Sequence, residues 1–168
     1  MKKAAVVMSA LMVWLVVNPS SWSQEKDRAE LAKAVAVAKV SLEQGLSASA
    51  HEGKPISAKF EIEDSKLQLS VYTAKGDTFS EVVVDHNTGK VAKTEPITSG
   101  EDLSAAKTQS EAMSKAKQSL SVALARVLKG NPGFRAVSIF PALKDGHPVA
   151  EVSLTKGDEW KTVSEKLD

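Results

Sequence analysis

The chain is 168 residues long, 42% hydrophobic, 26% charged and 5% aromatic, with no cysteine and a formal net charge of +1. So even a balance excludes a broad basic nucleic-acid footprint, and the hydrophobic share is too high for wholesale disorder. Without a thiol, cysteine catalysis, iron–sulfur clusters, cysteine-bound zinc and disulfides are all excluded, and burial alone must hold the fold.

Lys2 and Lys3 open the chain, Ala4 to Val17 is an uncharged apolar run, and Asn18-Pro19 breaks it. Ser21-Trp22-Ser23 then places small residues at the positions a signal peptidase reads, so residues 1–23 read as an export signal cleaved after Ser23. As a permanent anchor the apolar run falls short of the roughly 20 residues that cross a bilayer as a helix. The chain is therefore expected to meet the membrane only transiently and to reach the periplasm of a bacterium or the medium. Cleavage takes two lysines and no acid from the 22 basic and 21 acidic residues, which leaves a formal charge of −1.

From Glu25 to Ala50, Leu31, Val35, Ala38, Leu42 and Leu46 step by three or four along one face, the period of a single amphipathic helix. After Gly53 and Pro55, Ile56, Ala58, Phe60 and Ile62 alternate with Ser57, Lys59, Glu61 and Glu63, which predicts a half-buried strand with its polar side in water. A second strand follows at Leu67 to Tyr72, Lys75-Gly76-Asp77 turns the chain, and a third runs from Phe79 to Asp85 and closes at Asn87-Thr88-Gly89. Polar residues 96–101 read as a connection. Ser104 to Lys129 predicts a second long helix, with Met113, Ala116, Leu120, Leu124 and Val127 on its stripe and Gly130-Asn131-Pro132-Gly133 as its stop. Strands follow at Phe134 to Phe140, Val149 to Thr155 and Trp160 to Leu167, with turns at Lys144-Asp145-Gly146 and Lys156-Gly157-Asp158.

The second stretch repeats the plan of the first. Ser41-Leu42 falls opposite Ser119-Leu120, and Lys75-Gly76-Asp77 opposite Lys156-Gly157-Asp158. The expected fold class is α+β, with two repeats of a long helix packed on a small antiparallel sheet of about three strands. Residues 24–95 form the first, 96–101 the linker and 102–168 the second. Halves this small bury too little to stand alone. They are expected either to pack helix to helix or to join their sheets edge to edge with both helices on one face.

The stretch Phe79-Ser80-Glu81-Val82-Val83-Val84-Asp85-His86-Asn87-Thr88-Gly89-Lys90-Val91 resembles the end of a PepSY domain, where a strand finishes in an aspartate, a short turn and Thr-Gly-Lys. In that turn Asp85 or Asn87 can bond the backbone amides, Thr88 follows, and Gly89 can take the positive φ of a tight reversal. Gly146 to Val152 is similar to the family's middle strand, but the second half lacks the Asp-x-x-Thr-Gly-Lys turn. The resemblance implies a helix-then-sheet module in an exported protein that inhibits or regulates peptidases, and it brings no catalytic residue.

The residues themselves point away from an enzyme. His51, His86 and His147 each sit beside a turn and none has metal-ligand spacing, so no metal or cofactor is expected. No Gly-x-Ser-x-Gly elbow, Gly-x-x-x-x-Gly-Lys loop or Gly-x-Gly-x-x-Gly turn occurs. Glu61 and Glu63 share one strand face, which alternation marks as wet. Tyr72, on a polar strand side, and Trp160, opposite Phe79 in the repeat, are either packing residues or anchors for a protein partner. A free sheet edge can also hold an extended polypeptide by strand addition, which suits an exported peptidase as partner. The alternatives are a carrier that holds a small ligand in a pocket lined by Leu31, Val35, Phe60 and Leu69, and a structural envelope protein. The sequence leaves the oligomeric state open.

Overall fold

The computed structural model of the chain describes residues 19–168, with side chains from 25 onward. The export signal thus lies for the most part outside the described residues. In chain order the elements are α1 (Pro19–Val37), α2 (Leu42–Ser49), β1 (Lys54–Glu63), β2 (Lys66–Lys75), β3 (Thr78–Val84), β4 (Val91–Ile97), α3 (Gly100–Lys115), α4 (Leu120–Gly130), β5 (Arg135–Lys144), β6 (His147–Lys156) and β7 (Glu159–Lys166).

The seven strands form one antiparallel sheet in the order β4-β3-β2-β1-β5-β6-β7. This overturns the expectation of two sheets of about three strands, each under one long helix. Two physical reasons account for the difference. First, β1 and β5 pair with each other, Ala58 opposite Ile139 and Lys59 opposite Ser138, so neither half leaves its inner edge with unpaired amides and carbonyls. Second, each expected long helix is two helices. The serine that opens the second member of each pair competes with the helix backbone. Ser41 Oγ accepts from the Gln44 amide at 3.3 Å, while Gln44 Oε1 accepts from the Ser41 amide at 2.8 Å, which makes a capping box. Ser119 Oγ likewise accepts from the Val122 amide at 3.3 Å, and Ala116 just before it is extended, with ψ 136°.

The breaks send the helices to opposite sides. α2 lies on the face that carries Ala58, Phe60, Leu69, Val71 and Val82. It approaches closely because Gly45 has no side chain, and a Cβ there would stand 2.8 Å from Leu69 Cδ2. α4 covers the same face farther along, where Lys161 donates to Asn131 Oδ1 at 2.6 Å beside Leu154. α1 and α3 lie over the other face. Arg28 of α1 stands 5.5 Å above the Trp160 ring, and Gln109 of α3 accepts from Ser57 Oγ at 2.7 Å. The result is three layers with the sheet in the middle, in place of both helices on one side.

Two carbonyls hold the chain where it passes the end of the sheet. His86 O accepts from the Lys39 and Val40 amides at 3.1 and 3.0 Å, and Leu167 O accepts from the Lys117 and Gln118 amides at 2.7 and 3.1 Å. Leu167 is fully buried and donates its own amide to Pro148 O at 2.9 Å. Because Pro148 has no N–H to give back, the Leu167 carbonyl is free for the α3–α4 junction.

β4 goes beyond the expected elements. Pro96 and Ile97 complete it, and Gly100 and Glu101 already belong to α3. The β1–β2 turn places Asp64 and Ser65 at φ 47° and 61°, the pair of positive values of a type I′ two-residue hairpin.

Leu69 is fully buried under α2, so Leu69→Ala is expected to cost about 2–5 kcal/mol of stability in urea titration. Ser41→Ala removes only the cap and should cost about 1 kcal/mol.

Candidate functional site

Alternation along β1 and β2 assigns Lys59, Glu61, Ser70 and Tyr72 to a wet side, but α1 and α3 cover that side and the residues form a network there. Lys59 Nζ lies 2.6 Å from Glu61 Oε2, Ser70 Oγ donates to Glu61 Oε1 at 3.1 Å, and Gln68 Nε2 donates to Ser70 Oγ at 3.0 Å. Ser57 and Ser70 are fully buried. Burial alone would lower the Lys59 pKa, yet the bond to Glu61 and the proximity of Tyr72 outweigh it and hold the ammonium above its ordinary value. Burial pushes the Tyr72 phenol up. The Lys59 ammonium stands 5.7 Å from the Tyr72 ring centre. A small crevice of about 150 Å³ opens beside Tyr72 between Asp102, Gln109 and Phe140.

Tyr72 and Trp160 are both half-buried and share a sheet face, but β1, β5 and β6 lie between their strands. At about 4.8 Å per strand they are some 19 Å apart, so they form no joint surface.

The turn residues do come together. Asp85 Oδ1 accepts from the Asn87 amide at 2.7 Å and the Thr88 amide at 2.9 Å, so Asp85 and not Asn87 closes the turn. The Gly89 amide donates to Asp85 O at 2.8 Å, with Gly89 at φ 73°, and Thr88 Oγ1 accepts from the Lys90 amide at 3.4 Å. The Asn87 amide, followed by that of Thr88, holds the Asp85 carboxyl below its ordinary value. This turn presents the His86 carbonyl to the α1–α2 junction, so the motif has a structural task.

Next to the turn, α1 and α3 reach no farther than β2 in any substantial contact, and on the same face β3 and β4 are open around Glu81, Val83, Lys93 and Glu95, while Phe79 at the far end is buried. An open groove of about 480 Å³ runs there over Gln68, Glu81, Val83, Lys93 and Glu95, with Glu63, Asp64, Asp85 and His86 at its end. β4 borders it as an edge strand whose residues from Val91 to Pro96 are all exposed. Glu81 stands directly opposite Glu95, a like-charged pair that weakens the sheet. Lys93 offsets part of this through a 2.8 Å contact with Glu95, which is the main reason its pKa is raised. His86 Nδ1 is buried with no hydrogen-bond partner among the described residues. Sequence reading missed this groove because β4 carries little apolar signal.

The remaining histidines lie apart. His51 is exposed, and His147 Nδ1 is 3.1 Å from Asp168 Oδ2. Among the described residues no group of three His, Asp or Glu side chains could hold a metal ion, and no helix is long and apolar enough to cross a membrane. The proposed ligand pocket is not formed. Phe60 and Leu69 are buried beneath α2, while Leu31 and Val35 belong to α1 across the sheet.

The chain matches no family model and no curated protein. Among solved structures it is similar to a protein of Clostridium difficile 630 described as a "putative lipoprotein", at 16% identity and a TM-score of 0.38, over 71% of this chain and 79% of that one. A likeness that distant assigns neither fold nor function.

Asp85 has a depressed folded-state pKa, so its contribution to stability is present above the ordinary value of 3.8 and is lost as pH falls through the lower folded-state value. Asp85→Ala should therefore lower Tm at neutral pH, and the difference from the unchanged protein should vanish in strong acid. Thermal unfolding across a pH series reads this directly.

Proposed function

We propose that the chain is an exported, non-catalytic binding protein of the PepSY kind, and that it restrains a peptidase by holding an extended segment of it. One observation carries this reading: the open groove over Glu81, Val83, Lys93 and Glu95 lies beside the unpaired edge of β4. An edge strand offers backbone amides and carbonyls to a partner strand, and the adjoining groove can take alternate side chains of that strand. Five carboxylates against two lysines line the groove, so a partner segment with basic side chains is favoured. The Glu81–Glu95 pair supports the same reading, because a partner cation between them relieves their repulsion. The PepSY-like turn at Asp85-Asn87-Thr88-Gly89 forms one end of this surface. The recurrence of a helix pair followed by a strand meander supports two related halves, of which only the first carries the turn. The basic start, apolar run and small-residue site at residues 1–23 support export. The filled space between α2 and the sheet takes support from the carrier reading.

The test is inhibition of a thermolysin-like metallopeptidase, and of peptidases exported by the same cell, by the natively processed protein. Saturable inhibition is expected, weakened about tenfold or more in Glu81→Lys/Glu95→Lys, consistent with the loss of rim and groove charges. That variant exchanges one like-charged cross-strand pair for another on an open part of the sheet, so its Tm should stay close to that of the unchanged protein, which thermal unfolding checks. Absence of inhibition across those peptidases would overturn the proposal.

A further inference from the structure

The sheet has a second free edge, β7, and its sequence is complementary to itself. The bond from the Leu167 amide to Pro148 O sets the phase of the strand, with Lys166 paired to Val149. In an antiparallel ladder residues alternate in the direction of their backbone groups. Glu159, Lys161, Val163, Glu165 and Leu167 therefore turn their amides and carbonyls to β6, while Trp160, Thr162, Ser164 and Lys166 present theirs outward. We propose that the partner of this edge is a second copy of the chain, joined β7 to β7 about a two-fold axis at Val163.

In that register Thr162 lies opposite Ser164 of the second copy. Both have outward backbone groups, so the two residues exchange a full pair of hydrogen bonds on each side of the axis. The side chains then match in charge. Lys161 meets Glu165 of the second copy and Glu165 meets its Lys161, on the face that carries α4. Trp160 meets Lys166 on the other face, a cation beside an aromatic ring. Val163, half-buried in one copy, faces its own counterpart on the axis. A shift of one residue destroys all three matches.

An apolar residue on α4 points to the same seam. Val122 is 44% exposed, and it precedes Arg126 by one helical turn. Arg126 reaches Glu165 on β7 at 3.7 Å, so this stripe of α4, Val122 included, is turned towards the edge. The other edge is less suited: a two-fold axis at Thr94 would also set Lys93 opposite Glu95, but Pro96 withholds an outward donor. An eight-residue seam is small beside the interfaces of permanent dimers, so the association depends on concentration. It involves the edge opposite to the one used in the proposed peptidase contact, and the two stand or fall separately.

Sedimentation velocity of the natively processed protein from micromolar to submillimolar concentration tests the proposal. A reversible monomer–dimer equilibrium is expected. Lys161→Glu and Glu165→Lys should each weaken it about tenfold, because each places like charges opposite one another at two symmetric positions. An equimolar mixture of the two single variants should dimerise again, since every cross-strand pair in the mixed dimer is then of opposite charge. Restoration on mixing also shows that both variants are folded. A protein that stays monomeric throughout, a dimer indifferent to both substitutions, or a mixture that fails to associate would each overturn the proposal.

Discussion

The pairing of β1 with β5 makes one molecule out of two short meanders. It occupies only a short register, centred on Ala58 opposite Ile139 and Lys59 opposite Ser138, yet it sits at the midpoint of the strand order. It satisfies backbone groups that would otherwise lie bare in the middle of the protein, where an unpaired amide or carbonyl is costly. It also sets Phe60 and Leu69 next to Ile139, Val152 and Leu154 in one apolar layer under α2 and α4. Without a disulfide to help, a continuous layer of this size is the available source of stability.

The same pairing fixes which edges remain. With β1 and β5 inside, β4 and β7 are outermost, and the two differ in chemistry. β4 is exposed from Val91 to Pro96, bordered by an acidic groove and interrupted by Pro96. β7 alternates charges in a self-matching order and carries Val163 at its centre. The chain's crossings between the layers rest on the His86 and Leu167 carbonyls, each taking two amides from a helix junction. The first is presented by the Asp85 turn and the second is freed by Pro148, so two unlike local sequences fill the same mechanical role. This explains why the second half holds together without the turn motif.

Much of the sheet was legible in the residues. The alternation of Ile56, Ala58, Phe60 and Ile62, and the turns at Gly76-Asp77 and Gly157-Asp158, place β1, β2, β3, β6 and β7 within a few positions. The helices were misread because Leu31 to Leu46 keeps the helical period straight across a break. The counter-signal was present in Ser41-Leu42-Glu43-Gln44, a capping box, and in Ser119 at the corresponding place. β4 was hidden because Ala92 to Glu95 show no apolar alternation and Pro96 onward reads as a connection, and edge strands are made of such residues. Lys59, Glu61 and Ser70 look wet in sequence, but a second helical layer covers them, and mutual hydrogen bonds replace water. The groove depends on where α1 and α3 stop, which no local pattern encodes.

The central pairing can be tested by cross-strand nuclear Overhauser effects in the isotopically labelled protein. Contacts between the backbone protons of Ala58 and Ile139, and of Lys59 and Ser138, are the expected result, with the intervening amides among the slowest to exchange. A spectrum in which both meanders are intact but no such contacts connect them, and in which β5 amides exchange as fast as those of an open edge, would contradict the account.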